Sequence, residues 1–300
     1  HDETKAISFY MIDEIKWRDW IFTPGLRFES MDMTSRNKLT NTTTDRSDTV
    51  TLFGAGFNYL IDENWTLLGG AHQGYSPVSP GQVDLVEEER SLNYEFGTRY
   101  HRDSFQAEVI GFFNDYSNLL SEETLSTGGT TASIGNQFSG GEVDVYGVEL
   151  TLSNEYEFNN GSSLPVKLNY TFTDTEFKNT FASSHFGYDR VSGNNLVLAG
   201  ESLPYVPENI LQMSIGWSIN AWSLNLNSKY QSEMQEIASA DKTDAFWNFD
   251  FAGDYQWGER KSVYLKIDNI FDETHIASRR PYGARPGKPR QWQIGFSHKL

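Results

Sequence analysis

The sequence predicts an all-β fold, a transmembrane antiparallel β-barrel, on three observations. Thirteen segments alternate apolar and polar residues from one end of the 300-residue chain to the other. Most of them reach the roughly nine to eleven residues that a tilted membrane-spanning strand requires. The connections between them are alternately short and long, as in outer-membrane barrels, where short turns lie on the periplasmic side and long loops lie outside.

Each strand is predicted from the alternation of its side chains, because successive residues of a strand point to opposite faces. In one such segment Trp247 and Phe249 share a face, while Asn248 and Asp250 share the other. One face therefore suits lipid and the other suits water. The predicted strands lie, in chain order, at residues 6–15, 20–28, 50–61, 65–75, 91–101, 105–117, 143–157, 166–176, 209–219, 222–230, 246–257, 263–271 and 291–300.

The connections separate a barrel from a soluble sandwich better than alternation does, since a soluble antiparallel sheet alternates as well. The short connections are rich in turn-forming residues and lie at 16–19, 62–64, 102–104, 159–165, 220–221 and 258–262. The long connections lie at 29–49, 76–90, 118–142, 177–208, 231–245 and 272–290. Such regular alternation is hard to obtain from a sandwich.

The number of predicted strands indicates an incomplete wall. The first connection is short and therefore periplasmic, so the first strand descends, and the last strand must descend as well. A complete single-chain bacterial barrel has an even number of strands. We therefore expect an odd number of further strands upstream of His1, and residues 1–300 to form one partial barrel domain.

Composition excludes several classes of function. Hydrophobic residues make up only 38% of the chain and the mean hydropathy is −0.54, so a wet lumen suits it better than a large dry core. The net charge of −17 argues against nucleic-acid binding, which needs a basic surface. No apolar run is long enough for a transmembrane helix. The absence of cysteine excludes disulfides and thiolate metal sites.

No catalytic constellation is recognisable, so the chain is not expected to be an enzyme. Its six histidines are scattered without metal-ligand spacing, and neither a Gly-x-Ser-x-Gly elbow nor a His-Glu-x-x-His motif is present. No metal site and no covalently bound cofactor are expected.

One basic segment, at residues 279–290, is unusual in this acidic chain. Its guanidinium groups offer planar, bidentate forks to the carboxylates or phosphates of an anionic ligand. Two alternatives are contact with anionic lipopolysaccharide and pairing with acidic neighbours in other loops. The candidate ligand-binding residues of this extracellular loop are Arg279, Arg280, Arg285, Lys288 and Arg290.

Charged residues on the polar faces of the strands form a second set, and they either line a ligand path or pair within the wall. We expect pairing. The basic members are Arg27, Arg99, Lys167, Lys229 and Lys266. The expected acidic partners are Glu95, Glu149 and Asp268.

Six stretches resemble successive barrel motifs of TonB-dependent outer-membrane receptors. They are TPGLRFE at 23–29, GYSPVSPG at 74–81, LNYEFGTRY at 92–100, VYGVEL at 145–150, LPYVPEN at 203–209 and DNIFD at 268–272. The tail at 277–290 further resembles the ferric dicitrate receptor subgroup.

The resemblance implies a barrel of about 22 strands closed around an N-terminal plug domain that is absent from this chain. It implies import of a ferric chelate, such as ferric citrate or another siderophore-type ligand, driven by the TonB–ExbB–ExbD complex through the plug. The present strands would be the last thirteen. The protein is expected to be a monomeric barrel in the bacterial outer membrane, in contact with lipopolysaccharide and outer-membrane lipid.

Two other classes of protein stay open on the sequence. A passive porin shares the barrel but lacks a plug. A soluble all-β carbohydrate-binding protein, or a propeller, shares the alternation of apolar and polar residues.

Overall fold

The structure, a computed structural model, describes residues 1–82, 86–122, 134–183, 186, 196–237, 242–279 and 283–298. In these ranges every regular element is a β-strand, and there is no helix that is long and apolar enough to cross a membrane. The strands are β1 (Asp2–Ile12), β2 (Ile15–Trp17), β3 (Trp20–Asn37), β4 (Thr42–Leu60), β5 (Trp65–Ser76), β6 (Glu89–Arg102), β7 (Phe105–Asn118), β8 (Leu120–Glu122), β9 (Gln137–Ser139), β10 (Val143–Glu157), β11 (Ser163–Phe177), β12 (Phe181–Ala182), β13 (Leu196–Val197), β14 (Asn209–Ile219), β15 (Trp222–Gln231), β16 (Phe246–Trp257), β17 (Lys261–Asp268), β18 (Ile276–Ser278), β19 (Arg285–Pro286) and β20 (Gln291–His298).

One antiparallel sheet contains all the long strands, and its neighbours follow chain order from β1 and β3 to β17 and β20. The short strand β2 continues β1, because both pair with β3 in one register: Ile12 lies opposite Gly25 and Ile15 opposite Phe22. The interruption falls opposite Pro24, which has no N–H to give to the ladder. Counting β1 and β2 together, the described sheet has thirteen wall strands. Each coincides with one predicted segment, which confirms the predicted all-β barrel wall.

The largest error of the sequence prediction concerns residues 29–49, which were predicted to be a long loop. Here β3 and β4 run on as a paired hairpin as far as Asn37 and Thr42. The extension is held by the ladder and by hydroxyl–carboxylate hydrogen bonds between strands, such as Thr34 to Asp45 at 2.7 Å. Ser30, Asp32 and Thr34 are polar on the face that carries Leu26 and Phe28 within the wall, so the apolar pattern of that face ends before the extension.

In the described residues, three of the other five long connections contain short hairpins that the sequence did not predict. Strand β8 pairs with β9, β12 with β13 and β18 with β19. The short connections are tight, and several use left-handed backbone at a residue that tolerates it, such as Asn220 with φ 51° and Gly258 with φ 70°. All long connections therefore lie at one end of the wall and all short ones at the other.

The two faces of the wall differ in chemistry in the middle of the sheet. In the apolar face Phe57 lies opposite Gly69, which lies opposite Phe96, and the Phe96 side chain is 61% exposed. One residue away, the other face carries Gly70 opposite Glu95. A sheet with exposed rings on one face and charges on the other has no dry core within the wall, which is the arrangement that lipid outside and water inside require.

Aromatic pairs mark the end of the wall that carries the short turns. The rings of Trp20 and Tyr59 lie 4.5 Å apart between centroids, and those of Trp222 and Tyr255 lie 4.6 Å apart. Each pair joins directly opposed residues of adjacent strands. Trp and Tyr are typical of the membrane–water interface because their rings are apolar and their N–H or O–H is polar. These pairs therefore locate one membrane–water interface at the short-turn end of the wall.

The sheet is open within the described part of the chain. Strand β1 pairs with β3 on one side only, and β20 pairs with β17 on one side only. Apolar side chains along both edge strands are highly exposed, among them Ile7 at 76% and Ile294 at 76%. Both edges have free backbone groups that a further strand could pair with.

Replacing an outward residue in the middle of the wall tests the assignment of the two faces. We expect Phe96→Arg to lower the free energy of unfolding in lipid by roughly 2–4 kcal/mol, because a guanidinium in hydrocarbon loses its hydration. Glu95→Arg, which puts the same charge on the wet face one residue away, should cost much less. Denaturant unfolding of both variants of the full-length protein in lipid vesicles measures the difference. Equal costs would refute the assignment.

Candidate functional site

The basic loop, which we define as residues 269–290 between β17 and β20, holds the candidate residues predicted from the sequence. Arg279 lies at its outer part, where its Nε donates to the carbonyl oxygen of Lys242 at 2.8 Å and its backbone N–H donates to the hydroxyl of Tyr205 at 3.3 Å. Arg285 lies in the exposed strand β19. Arg280 falls outside the described residues.

The other two candidates lie in the stem of the basic loop and have acidic partners. Lys288 pairs with Asp268, and Arg290 pairs with Asp272 at 3.8 Å. Arg290 also donates from Nη1 to the carbonyl oxygen of Ile270 at 3.3 Å. Pairing with acidic neighbours was one of the alternatives for this segment, and it applies to these two residues. These two basic residues and their acidic partners therefore lie near the wall.

His275 packs the basic loop onto the wall. Its side chain is 8% exposed and stacks on Phe246, with ring centroids 3.9 Å apart. Gly287 lies against the same ring so closely that a Cβ there would come within 2.2 Å of it. Burial lowers the pKa of His275, although the nearby carboxylates of Glu273 and Asp244 oppose that shift. Packing of the ring therefore disfavours its protonated form.

The basic loop is hydrogen-bonded to two neighbouring extracellular segments. The Asp244 carboxylate accepts from the backbone N–H of Ile276 at 2.6 Å. Tyr205, whose φ of 59° is rare for a residue with a large side chain, donates its backbone N–H to the carbonyl oxygen of Gln235 at 2.9 Å. Since the Tyr205 hydroxyl also accepts from Arg279, the described residues of segments 203–208, 231–245 and 269–290 form one connected unit.

A second unit is built from the described residues of the loops at 118–142 and 177–203 and from the adjoining ends of β10 and β11. Val143, Phe177 and Val197 are fully buried there, and Phe186 packs on Phe177 with ring centroids 5.4 Å apart. These residues form an apolar core at the long-loop end of the wall. The loops are therefore fixed by side-chain packing as well as by backbone pairing.

Lys178 neutralises three carboxylates at the edge of this second unit. Its Nζ lies 3.1 Å from Asp115, 3.6 Å from Asp144 and 3.8 Å from Glu142. Asp115 and Asp144 are directly opposed on adjacent strands, where like charges destabilise a sheet. The hydrogen bond to Asp115 and the neighbouring negative charges raise the pKa of Lys178 above its ordinary value.

Two of the five basic residues predicted to pair on the polar faces have ion pairs in the described ranges, and their partners differ from the expected ones. Arg27 pairs with Glu29 and Arg99 with Glu108, rather than with Glu95 or Glu149. The Nζ atoms of two predicted lysines lie over rings, at 5.8 Å from the centroid in each case; they belong to Lys229, over Phe246, and Lys266, over Tyr264. In the described ranges no cluster of His, Asp or Glu has metal-binding geometry.

Sequence reasoning missed Tyr205, Asp244 and His275. Nothing local distinguishes them, because each makes its important contact with a residue about thirty or more positions away. The one available signal was that Tyr205 falls inside the LPYVPEN stretch.

Comparison with known proteins finds a family model described as "TonB dependent receptor-like, beta-barrel", which matches residues 1–270. The chain is 23% identical to the ferrichrome outer membrane transporter/phage receptor of Escherichia coli K12, over 97% of this chain and 37% of that protein. It is also 23% identical to the pesticin receptor of Yersinia pestis, over 81% of this chain and 34% of that protein. The chain thus spans about a third of the length of these curated relatives.

Solved structures show the same architecture. The ferric citrate transporter FecA in its unliganded form superposes with a TM-score of 0.75 and 21% identity, over 100% of this chain and 45% of that one. The siderophore receptor PiuA from Acinetobacter baumannii gives 0.77 and 16%, over 99% and 43%. At this identity the likeness shows the fold. The relatives are transporters and receptors, which confirms the prediction that the chain is not an enzyme.

Lowering the pH should loosen the basic loop through His275. An opened loop takes up a proton on this ring near its ordinary pKa of 6.5, whereas the packed ring resists it, so opening becomes easier as the pH falls below 6.5. We expect hydrogen exchange of amides 276–288, corrected for intrinsic rates, to show more opening at about pH 5.5 than at about pH 7.5. His275→Phe should remove this dependence and His101→Phe should not. A dependence that persists in His275→Phe would contradict the assignment.

Replacing Lys178 with an uncharged residue should lower the stability of the second unit. We expect Lys178→Met to lower the free energy of unfolding by up to about 1 kcal/mol, since the group is partly exposed and screened. A second substitution, Asp144→Asn, should restore part of the loss. Because the pKa of Lys178 is raised, its stabilisation holds below the ordinary value of 10.5 and disappears at higher pH. Thermal unfolding across alkaline pH measures it; identical profiles for wild type and Lys178→Met would exclude the role.

Proposed function

The chain belongs to the TonB-dependent receptor-like β-barrel family, and from that premise we propose that it supplies wall strands and extracellular ligand-capturing loops to a receptor that imports a ferric chelate. Barrels of this family lie in the outer membrane of Gram-negative bacteria. The short turns then face the periplasm and the long loops face the outside. The basic loop and its neighbours accordingly lie at the mouth through which a ligand enters.

The observation that carries the proposal is the placement of the loop's positive charges. The chain has a net charge of −17, yet its basic loop concentrates Arg279 and Arg285 with Lys288 and Arg290, the last two of which lie in the stem. Guanidinium groups at the mouth suit a chelate that presents carboxylates, because each can bind a carboxylate through two hydrogen bonds. Ferric citrate is therefore our first candidate ligand, and the likeness of the tail to the ferric dicitrate receptor subgroup supports it.

We further propose that other parts of the same polypeptide complete the receptor. The relatives are far longer than this chain, and the edges β1 and β20 each lack a neighbour within the described residues. Strands before β1 would close the wall. The inner face carries a groove of about 540 Å³ whose floor is Gly54, Gly56 and Gly70, which allows another segment to approach the backbone closely. A plug domain seated there would couple the receptor to the TonB–ExbB–ExbD complex.

In this proposal the receptor is a monomeric barrel whose exposed apolar face contacts outer-membrane lipid and lipopolysaccharide. The transported chelate is a ligand and no covalent cofactor takes part. A passive porin and a soluble carbohydrate-binding protein are not favoured, because the curated relatives are receptors and an outer-membrane transporter.

Removing the outer arginines tests the ligand assignment. We expect the full-length triple variant Arg279→Ala, Arg280→Ala, Arg285→Ala to bind ferric citrate at least about tenfold more weakly, since charge-assisted hydrogen bonds are among the strongest polar contacts. The matched control removes three arginines at the short-turn end, Arg18, Arg102 and Arg260, and should leave binding unchanged. Equilibrium binding of radioactive iron as its citrate complex measures both. Equal affinity of the first variant and wild type would refute the role of these arginines.

A further inference from the structure

We propose that Asn269 is a positioning residue that locks the stem of the basic loop to β16, so that the loop presents its outer arginines as a preformed arm. The part of this proposal that concerns ligand rests on the proposed function. The part that concerns the lock rests on the geometry of the stem alone.

The side chain of Asn269 joins the two limbs of the loop to each other. It is 2% exposed. Its Nδ2 donates to the carbonyl oxygens of Glu273 and Lys288, each at 2.9 Å. Its Oδ1 accepts from the backbone N–H of Glu273 at 2.8 Å. Glu273 lies on the outgoing limb and Lys288 on the returning limb, so one amide bridges chain segments fifteen residues apart.

The backbone of Asn269 joins the same point to the wall. Its N–H donates to the carboxylate of Asp250 on β16 at 2.8 Å, and its carbonyl oxygen accepts from the N–H of Asp272 at 3.0 Å. The Asp250 carboxylate also accepts from the amide of Asn248 at 3.0 Å. All polar groups of Asn269 are thus engaged, which is what burial of an amide requires.

The chemistry at this position demands asparagine. Its φ of 51° is left-handed, a conformation that glycine, asparagine and aspartate tolerate best. Glycine would keep the backbone but lose the bridge between the limbs. Aspartate would keep the shape, but it cannot donate to two carbonyl oxygens, and it would add a negative charge beside the carboxylates of Asp250 and Asp268.

Neighbouring contacts support the same stem. Lys288 pairs with Asp268, and the N–H of Gly287 donates to the carbonyl oxygen of His275 at 2.9 Å. A loop that is fastened on both limbs does not hinge at its base. The loop then loses less conformational entropy on ligand binding, because it is already ordered.

Hydrogen exchange of the full-length protein without ligand tests the lock. We expect Asn269→Gly and Asn269→Asp to speed the exchange of amides 273–288 by roughly ten- to hundredfold, because glycine loses all three buried hydrogen bonds of the side chain and aspartate loses the two that Nδ2 donates. Amides of β15 and of β16 below Asp250 should not change, which distinguishes a local lock from a general loss of stability. The matched controls are Asn41→Gly and Asn220→Gly, which alter left-handed asparagines in other turns and should leave the basic loop protected.

Binding of ferric citrate to the same variants tests the proposal that the loop is a preformed arm. We expect Asn269→Gly to reduce the affinity about three- to tenfold, mainly through slower association, as expected for a loop that must order before it binds. Unchanged hydrogen exchange in Asn269→Gly would overturn the proposal that Asn269 locks the stem, whatever the ligand. Faster exchange with unchanged affinity and association rate would overturn the proposal that the loop acts as a preformed arm. Wild-type protein that binds no ferric citrate would instead refute the proposed ligand, while the exchange result still decides the lock.

Discussion

The structure depends on one constraint: every wall strand must pair its backbone with neighbours while it turns one face to lipid and the other to water. The cross-strand register satisfies both demands at once, since opposed residues share a face. A slip of one residue between β5 and β6 would exchange Phe96 for Glu95 and put a carboxylate in hydrocarbon. The register is therefore enforced along its whole length by the difference between the two environments, and the mixture of aromatic residues and glycine in the outward rows follows from it.

In a wall of this kind, tertiary packing of apolar side chains occurs at the strand ends and in the loops. In the described residues the fully buried apolar side chains, such as Val143 and Phe177, lie at the tops of strands or in the long connections. Asn269, which is buried there, has a partner for each of its polar side-chain atoms. The extracellular side thus resembles a small globular protein built on a barrel rim. Its order comes from contacts that differ from loop to loop, which allows specificity to change without any change in the wall.

The wall was predictable from the sequence and the loops were not. Alternation over ten or so residues is a local signal, and it located all thirteen strands, with segments 143–157, 209–219 and 246–257 matching the observed bounds. The hairpin extension was missed because Ser30, Asp32 and Thr34 are polar on a face that would otherwise show the pattern. The basic loop was identified from its composition, yet the pairing of Lys288 and Arg290, and the burial of His275, depend on contacts that topology alone creates. Such contacts leave no trace in residue spacing.

The hairpin formed by β3 and β4 has a consequence for how the protein survives outside the cell. Nine residues of β3, from 29 to 37, continue past the predicted end of the strand, which at the rise of a β-strand amounts to roughly 30 Å. Leu39 at its tip is 98% exposed. Proteases cleave chain that they can draw out into an unpaired, extended form. Along this projection the backbone is already paired, so within the hairpin only the tip at 38–41 offers a place to cut, and the paired limbs resist digestion.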